Sequence, residues 1–155
     1  MAQSDKRRSI LSAAVGVFAR HGFYNSKVAD IAREAGVADG TIYLYFKNKE
    51  DLLIQVFLDT MDTLFDAQET ALKGITDPTE RLRSIVRVHF AVVESRPALA
   101  EVITVELRQS SRFMRSTDLK PFGRYLSLMA KTIEQGKTAG QFAPEIDARR
   151  TARAL

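Results

Sequence analysis

The sequence predicts an all-α protein that divides into two helical parts. Apolar residues recur at spacings of three and four along nearly the whole chain, which is the pattern of amphipathic helices. Glycine, proline and short polar residues interrupt this pattern where helices are expected to begin and end. The net charge of +4 lies entirely in the first third of the chain, because the later residues carry equal numbers of acidic and basic side chains. The two parts therefore differ in charge as well as in position.

Composition argues against several classes of protein. The 155 residues, 45% of them apolar, suffice for a hydrophobic core, but no run of about eighteen apolar residues occurs that would span a membrane. The N-terminus MAQSDKRRS leads into an amphipathic pattern rather than the apolar core of a secretion signal, so we expect a cytoplasmic protein. There is no cysteine and there are only 2 histidines, well separated, so we expect neither a metal site nor a resident cofactor.

An enzyme is not expected. The sequence contains no GxSxG nucleophile elbow, no phosphate-binding glycine loop and no HExxH motif. His89 falls within an apolar stripe, where packing or pocket lining is a better account than catalysis. His21 falls at the end of the first predicted helix, where positive charge suits the helix dipole. A protein-binding adaptor, whose apolar helices recognise a partner, remains an alternative class.

Four helical segments are predicted in the first part. The first runs from Asp5 to about residue 20 and stops at Gly22. Ser26 is the predicted N-cap of the second, which Gly36 ends after about two and a half turns. A third segment covers about residues 39 to 46. In the following FKNKEDLL, Asn48 is the predicted cap of a long fourth helix.

The third segment lies within GVADGTIYLYFKNKEDL and has two different faces. At about 100° per residue, Ile42 and Phe46 fall together and are predicted to anchor the segment in the core. The opposite face and its edges carry Gly40, Thr41, Tyr43, Leu44 and Tyr45. Two short helices joined by a glycine-containing turn, with a small surface edged by hydroxyls on the second, predict a helix-turn-helix that fits a major groove.

The charge of the first part agrees with this prediction. Eight basic and four acidic side chains precede residue 50. Such an excess is typical of a nucleic-acid-binding module attached to a neutral partner. A basic face that is merely solvated accounts for the charge equally well, so charge alone leaves both interpretations open.

The segment SKVADIAREAGVADGTIYLYFKNKEDLL resembles the DNA-binding signature of TetR-type transcriptional regulators, and the preceding AAVGVFARHGF resembles their first helix. The resemblance implies a three-helix DNA-binding domain over residues 1–48 and a helical ligand-binding and dimerisation domain over residues 49–155. It also implies a homodimer that binds a palindromic operator. Regulators of this type end in two long helices that pair across the dimer, so we expect the second domain to be incomplete at its C-terminal DARRTARAL.

The resemblance also assigns candidate DNA contacts. The candidate base contacts are Gly40, Thr41 and Leu44. The candidate phosphate contacts are Ser26, Lys27, Tyr43, Tyr45, Lys47 and Lys49. Thr41 is able to hydrogen-bond a base, and Leu44 is able to touch a thymine methyl group. Solvation accounts equally well for Lys27 and Lys47, whereas we expect Lys49 to bind phosphate.

The second part is predicted to contain further helices. Asp77, followed by a proline and by Glu80 at the third helical position, opens the first of them. The break at residues 95–97 ends it, and a strongly apolar helix follows. Another helix ends near residues 136–140, and Asp147 begins the last one.

The segment VELRQSSRFMR, residues 105–115, places three arginines beside the strongly apolar helix. An apolar tunnel with a cationic mouth would suit an anionic amphiphile such as a fatty acyl-CoA, because arginine forks bind phosphate and apolar side chains bury the acyl chain. The candidate ligand-binding residues are Phe90, Ile103, Leu107, Arg108, Arg112, Tyr125 and Met129. For any one of them, core packing or a surface ion pair with Glu101 or Glu106 is the simpler account.

A narrower resemblance concerns the effector. VADGTIYLYFKNKEDLL together with VELRQSS resembles the acyl-CoA-responsive fatty-acid-degradation repressors within the TetR family. This resemblance implies that acyl-CoA binds the helical domain, spreads the two DNA-binding modules and releases genes of β-oxidation. Such a mechanism requires different acyl-CoA affinities in the two states. A regulator of drug efflux or of another small-molecule response is the main alternative.

Overall fold

The computed structural model describes residues 3–106 and 120–154, which are helical almost throughout and divide into two compact units. The first unit holds the described residues up to Asp59 together with the segment that begins at Arg96. The second holds Thr60–Ser95 and the described residues from Lys120 onward. Within the described residues, every helix is too short or too polar to cross a bilayer. The predicted boundary between a DNA-binding domain and a ligand-binding domain, between residues 48 and 49, stays a prediction.

The described residues form helices in the order that the sequence predicts. In chain order these are α1, Gln3–Asn25; α2, Val28–Ala35; α3, Asp39–Ile42; α4, Lys49–Ala71; α5, Pro78–Ser95; α6, Pro97–Glu101; a π-helical turn, Val102–Glu106; α7, Lys120–Thr138; and α8, Ala148–Ala154. Helix α4 contributes residues up to 59 to the first unit and the rest to the second. The third helix is shorter than predicted, because residues 43–45 form a turn instead.

In the first unit, α1 packs against α2 and α2 packs against α3. Gly22 and Gly36 have φ angles of 72° and 68°, a region that residues with a Cβ rarely enter. Gly36 ends α2 as predicted, whereas Gly22 breaks α1 by a kink and the helical range continues to Asn25. At the start of α4, Asn48 Oδ1 accepts from the Asp51 N–H at 2.8 Å, which confirms the predicted cap. The Asp51 carboxylate in turn accepts from the Lys47 N–H at 2.9 Å.

A segment from the middle of the chain packs on α1. Helix α6 begins after the predicted break and passes directly into the π-helical turn, and both contact α1. Leu99 and Val102 are buried there. The sequence predicted one continuous helix, because periodicity does not distinguish a regular helix from a local π turn. Such turns occur frequently at functional sites, and this one directly precedes the arginine-rich segment.

In the second unit, α7 packs against both α5 and α8. Asp77 Oδ1 accepts from the Glu80 N–H at 2.9 Å, and Asp147 Oδ1 accepts from the Arg150 N–H at 3.0 Å. Both predicted helix starts are therefore confirmed. A hydrogen bond from the Gln141 side chain, followed by the Glu80 N–H, lowers the pKa of Asp77. The Arg150 N–H has the same effect on the pKa of Asp147.

Two glycines of α7 differ in the space around them. A Cβ on Gly136 would overlap the Phe142 ring, whereas a Cβ on Gly123 would have no neighbour within 4 Å. We expect Gly136→Ala to lower the free energy of unfolding by about 1–3 kcal/mol, because crowding displaces packed side chains. Gly123→Ala should leave it unchanged or raise it by up to about 1 kcal/mol through helix propensity. Urea denaturation measures both, and equal stabilities would contradict the packing at Gly136.

Candidate DNA-binding surface and effector site

The candidate DNA-binding surface is built on the turn between α2 and α3. Gly36 closes α2 in the left-handed conformation, and the Val37 N–H donates to the Ala32 carbonyl at 3.0 Å. Helix α3 then starts at Asp39, with no side-chain cap from Ala38. A helix of 4 residues without a cap has no stability of its own, so packing must hold α3 in place.

Two inward side chains hold α3 and the turn that follows it. Ile42 and Phe46 are each 1% exposed, which confirms their predicted anchoring role. The Arg7 guanidinium of α1 lies 5.7 Å from the centre of the Phe46 ring. The same guanidinium donates to the Gln55 amide oxygen at 2.8 Å and pairs with Asp59 at 3.3 Å. These contacts tie the start of α1 and the turn after α3 to α4.

The outward residues of the same segment form a small exposed surface. Leu44 is 81% exposed and Tyr43 is 57% exposed. Gly40 is exposed as well, and no atom lies within 4 Å of the position that a Cβ would take there. Lys27 and Lys47 are exposed cations nearby in the chain. This surface offers bare backbone that can approach DNA closely, an apolar tip that can touch a thymine methyl group and cations that can bind phosphates.

Thr41 and Tyr45 lie at the edges of this surface and are half-buried. The Tyr45 ring packs against Phe46 with ring centres 6.3 Å apart. Thr41 lines an open cleft of about 460 Å³ together with Lys6 and Ser9 of α1. We call six of the residues of this segment that reach solvent the recognition surface: Gly40, Thr41, Tyr43, Leu44, Tyr45 and Lys47.

Lys49 has a structural role that sequence reasoning missed. Its ammonium donates to the carbonyl oxygens of Ser26 at 2.8 Å and Tyr24 at 3.0 Å, and it lies 4.7 Å from the centre of the Phe23 ring. Partial burial lowers the pKa of Lys49. An ammonium has three donors, so at most one is left for phosphate. Lys49 is first a tether between the α1–α2 turn and α4, and its phosphate contact stays a prediction.

Ser26 is buried rather than presented to solvent. Helix α2 begins at Val28, with Lys27 in the cap position and no side-chain cap, so the predicted Ser26 cap is wrong. The Ser26 hydroxyl instead donates to the Gly22 carbonyl at 2.6 Å, because the helix break at Gly22 leaves that carbonyl in the turn. At 3% exposure, the Ser26 side chain offers no surface to a phosphate.

Two of the predicted ligand-binding residues, Tyr125 and Met129, share the buried face of α7 in the second unit. The Tyr125 hydroxyl lies 2.9 Å from Nδ1 of His89 on α5. Phe90 is 64% exposed, so its side chain lies outside this buried group, and its ligand-binding role stays a prediction. The physical reason is that successive side chains of a helix point about 100° apart, so when His89 faces inward the side chain of Phe90 turns away.

The other predicted ligand-binding residues do not join this group. Ile103 belongs to the first unit, where it is half-buried in the π-helical turn. Leu107, Arg108 and Arg112 lie outside the described residues. The cationic mouth therefore stays a prediction.

The second unit also carries an open groove of about 710 Å³. Lys73, Arg81 and Lys131 line this groove, together with one carboxylate, that of Glu69. The Arg81 guanidinium donates to the Ile75 carbonyl at 2.9 Å, which fixes its orientation. The excess of cations makes this groove a second place where an anionic group can bind.

Lys49→Met and Lys47→Met form a matched pair that tests the tether. Both substitutions remove one positive charge from the same short stretch, but Lys49 donates to two backbone carbonyls, whereas Lys47 is an exposed cation. We expect Lys49→Met to lower the free energy of unfolding by about 1–3 kcal/mol, because charged hydrogen bonds are lost. Lys47→Met should change it by less than about 0.5 kcal/mol. Urea denaturation followed by circular dichroism measures both, and two equally stable variants would show that the tether contributes nothing.

Comparison with known proteins gives two family matches that together cover residues 10–155. Residues 10–56 match the family described as bacterial regulatory proteins, tetR family, and residues 57–155 match the C-terminal region of YsiA-like protein. The chain is 38% identical over 144 residues to the fatty acid metabolism regulator protein of Bacillus subtilis (strain 168). This match covers 93% of the present chain and 74% of that protein.

Solved structures agree with the sequence comparison. The transcriptional regulator FadR from Bacillus subtilis, in complex with stearoyl-CoA, gives a TM-score of 0.86 at 36% identity and covers 95% of this chain and 79% of that one. The fatty acid degradation regulator FadR from Bacillus halodurans gives 0.90 at 38% identity and covers 99% and 80%. With a helix-turn-helix near its N-terminus and family matches across residues 10–155, the chain belongs to the tetR family of bacterial regulatory proteins.

Proposed function

We propose that this protein is a ligand-responsive transcriptional repressor that long-chain fatty acyl-CoA releases from DNA. It binds a palindromic operator as a homodimer in the cytoplasm, controls genes of fatty-acid degradation and catalyses no reaction. The observation that carries the proposal is the likeness, over nearly the whole chain, to a FadR whose structure contains stearoyl-CoA. Arginine-rich residues 105–115 beside an apolar helix suit the same type of ligand.

The recognition surface supports the DNA-binding half of the proposal. Ile42 and Phe46 occupy the inward positions, which leaves Gly40, Thr41, Tyr43, Leu44, Tyr45 and Lys47 on the outside. With Gly40, Thr41 and Leu44 towards the base edges, direct readout involves few hydrogen bonds. Lysine and tyrosine contacts to phosphate then supply affinity that falls as salt rises.

The packing of α6 supports a connection between effector and DNA. Helix α6 and the π-helical turn pack on α1, in the same unit as the recognition surface. The chain passes from this turn directly into residues 107–115, which carry the predicted phosphate-binding arginines. An effector held by those arginines would therefore act on a segment that already contacts the DNA-binding unit. Release requires that acyl-CoA bind the DNA-free arrangement more tightly.

Tyr43→Ala tests the recognition surface, with Phe90→Ala as its control. Both residues are exposed aromatics, but Phe90 lies in the second unit. We expect Tyr43→Ala to weaken binding to promoter DNA at least about tenfold, because a phosphate contact and apolar surface are lost. Phe90→Ala should bind as the parent does. Fluorescence anisotropy measures the affinities and circular dichroism checks folding; unchanged binding by a folded Tyr43→Ala would refute the assigned surface.

Effector release tests the other half of the proposal. Lauroyl-CoA added to the protein on fluorescent promoter DNA should lower the anisotropy, whereas a cationic drug should leave it unchanged. Arg108→Ala with Arg112→Ala should raise the lauroyl-CoA concentration needed about tenfold or more, since charged hydrogen bonds to phosphate are lost. DNA affinity should persist in this double variant. Release by the drug alone would favour the alternative, a TetR-type regulator of drug efflux or of another small-molecule response.

The cationic groove supplies the control for the arginine assignment. Lys73→Ala with Lys131→Ala removes two of its three cations and leaves the arginine segment intact. We expect the parent response to lauroyl-CoA in this variant. A weakened response here, with a normal one in the arginine variant, would move the phosphate site to the groove and leave the acyl-CoA effector in place.

A further inference from the structure

Gln68 is a buried polar residue that the described chain leaves without a partner. It lies on α4 in the second unit and is 0% exposed, and neither its amide nitrogen nor its amide oxygen has a hydrogen-bond partner among the described residues. The other unpaired buried atom in the described part of the chain, Arg81 Nε, belongs to a guanidinium that still donates to Ile75. Buried side-chain amides in folded proteins are nearly always paired, because removal from water without a new partner costs free energy.

The polar groups of Tyr125 and His89, in the same unit as Gln68, are hydrogen-bonded to each other. The Tyr125 hydroxyl lies 2.9 Å from His89 Nδ1, and the two ring centres are 6.1 Å apart. Burial raises the pKa of Tyr125, and hydrogen bonding from the Gln68 side chain lowers it, so the carboxamide lies against the phenol although not in full hydrogen-bond geometry. Gln68 is therefore the member of this group with unused hydrogen-bonding capacity.

Apolar side chains dominate the faces that carry this group. Leu64 lies one helical turn before Gln68 on α4, Leu72 lies four residues after it in the turn that follows the helix, and both are buried. Met129, 2% exposed, follows Tyr125 by one turn on α7. One neutral carboxamide on apolar faces suits a long apolar ligand with one uncharged polar group. A ligand that placed an ion there would bury an unpaired charge, which is strongly unfavourable.

We propose that Gln68 donates a hydrogen bond from its amide nitrogen to the thioester carbonyl oxygen of a fatty acyl-CoA. The inference rests on the proposed function and deepens it, because it assigns the contact that identifies the acyl thioester. The acyl chain then lies along the apolar side chains of Leu64 on α4, Leu72 just after it and Met129 on α7. A thioester carbonyl accepts a hydrogen bond and carries no charge, whereas the carboxylate of a free fatty acid does. The site therefore selects thioesters over free acids.

A ligand without the carbonyl isolates this contact. S-dodecyl-CoA is a thioether with the same chain length and the same CoA as lauroyl-CoA, but it has a methylene group in place of the carbonyl. Titration calorimetry of the full-length protein gives the dissociation constant for each ligand. We expect the parent to bind lauroyl-CoA about threefold to tenfold more tightly than the thioether, as one hydrogen bond allows.

Gln68→Met keeps the side-chain volume close to that of glutamine and removes the amide, so it should bind the two ligands equally. Gln135→Met makes the same chemical change at an exposed glutamine of α7 that lines the cationic groove, and it should keep the parent ratio because both ligands carry the same CoA. Gln68→Leu serves as a second variant, and the melting temperature of each protein checks that it folds. The ratio of the two constants is unaffected by a uniform loss of affinity, so it reports only on the carbonyl.

The outcomes separate this inference from the proposed function. A parent ratio of one, or a parent-like ratio in folded Gln68→Met and Gln68→Leu, overturns the assignment of Gln68 while the acyl-CoA effector stands. No binding of either ligand by the parent overturns the proposed function itself. Loss of the preference only at position 68 supports the carbonyl contact.

Discussion

The candidate DNA-binding surface depends on the contacts that hold α3, because a helix of 4 residues cannot hold its own shape. Ile42 and Phe46 provide the apolar part of that support. Arg7 adds a cation over the Phe46 ring, and Lys49 adds two hydrogen bonds to the preceding turn. Because Ile42 and Phe46 are turned inward, the outward face presents Gly40, Thr41 and Leu44 to a base pair.

The same helix that carries the tether also carries the unpaired carboxamide. Lys49 begins α4, and Gln68 lies near its end, in the part that belongs to the second unit. Helix α6 and the π-helical turn add a second connection, because they contact α1 and lead directly into the arginine-rich segment. A ligand that changes α4 or the π-helical turn therefore acts on elements that also support the recognition surface. Through either connection, the ligand can change the affinity for DNA without touching the DNA.

Local chemistry explains which features could be predicted from the sequence. Gly36 and Asn48 end or begin helices through contacts between residues a few positions apart, and both were predicted correctly. Contacts between distant residues were not predicted: Lys49 bonds to carbonyls more than twenty positions earlier, and Ser26 turns its hydroxyl inward. The unpaired amide of Gln68 gave no sequence signal at all, because its environment is formed by three helices that the chain brings together only on folding.

The central claim is that acyl-CoA and DNA prefer different states of one protein. Linkage makes this measurable from either side, because each ligand must change the affinity of the other by the same factor. The most direct test is to titrate lauroyl-CoA into the full-length protein with and without saturating promoter DNA. The account predicts weaker lauroyl-CoA binding in the presence of DNA, by the factor with which lauroyl-CoA weakens DNA binding. Equal lauroyl-CoA affinity in both titrations would contradict it.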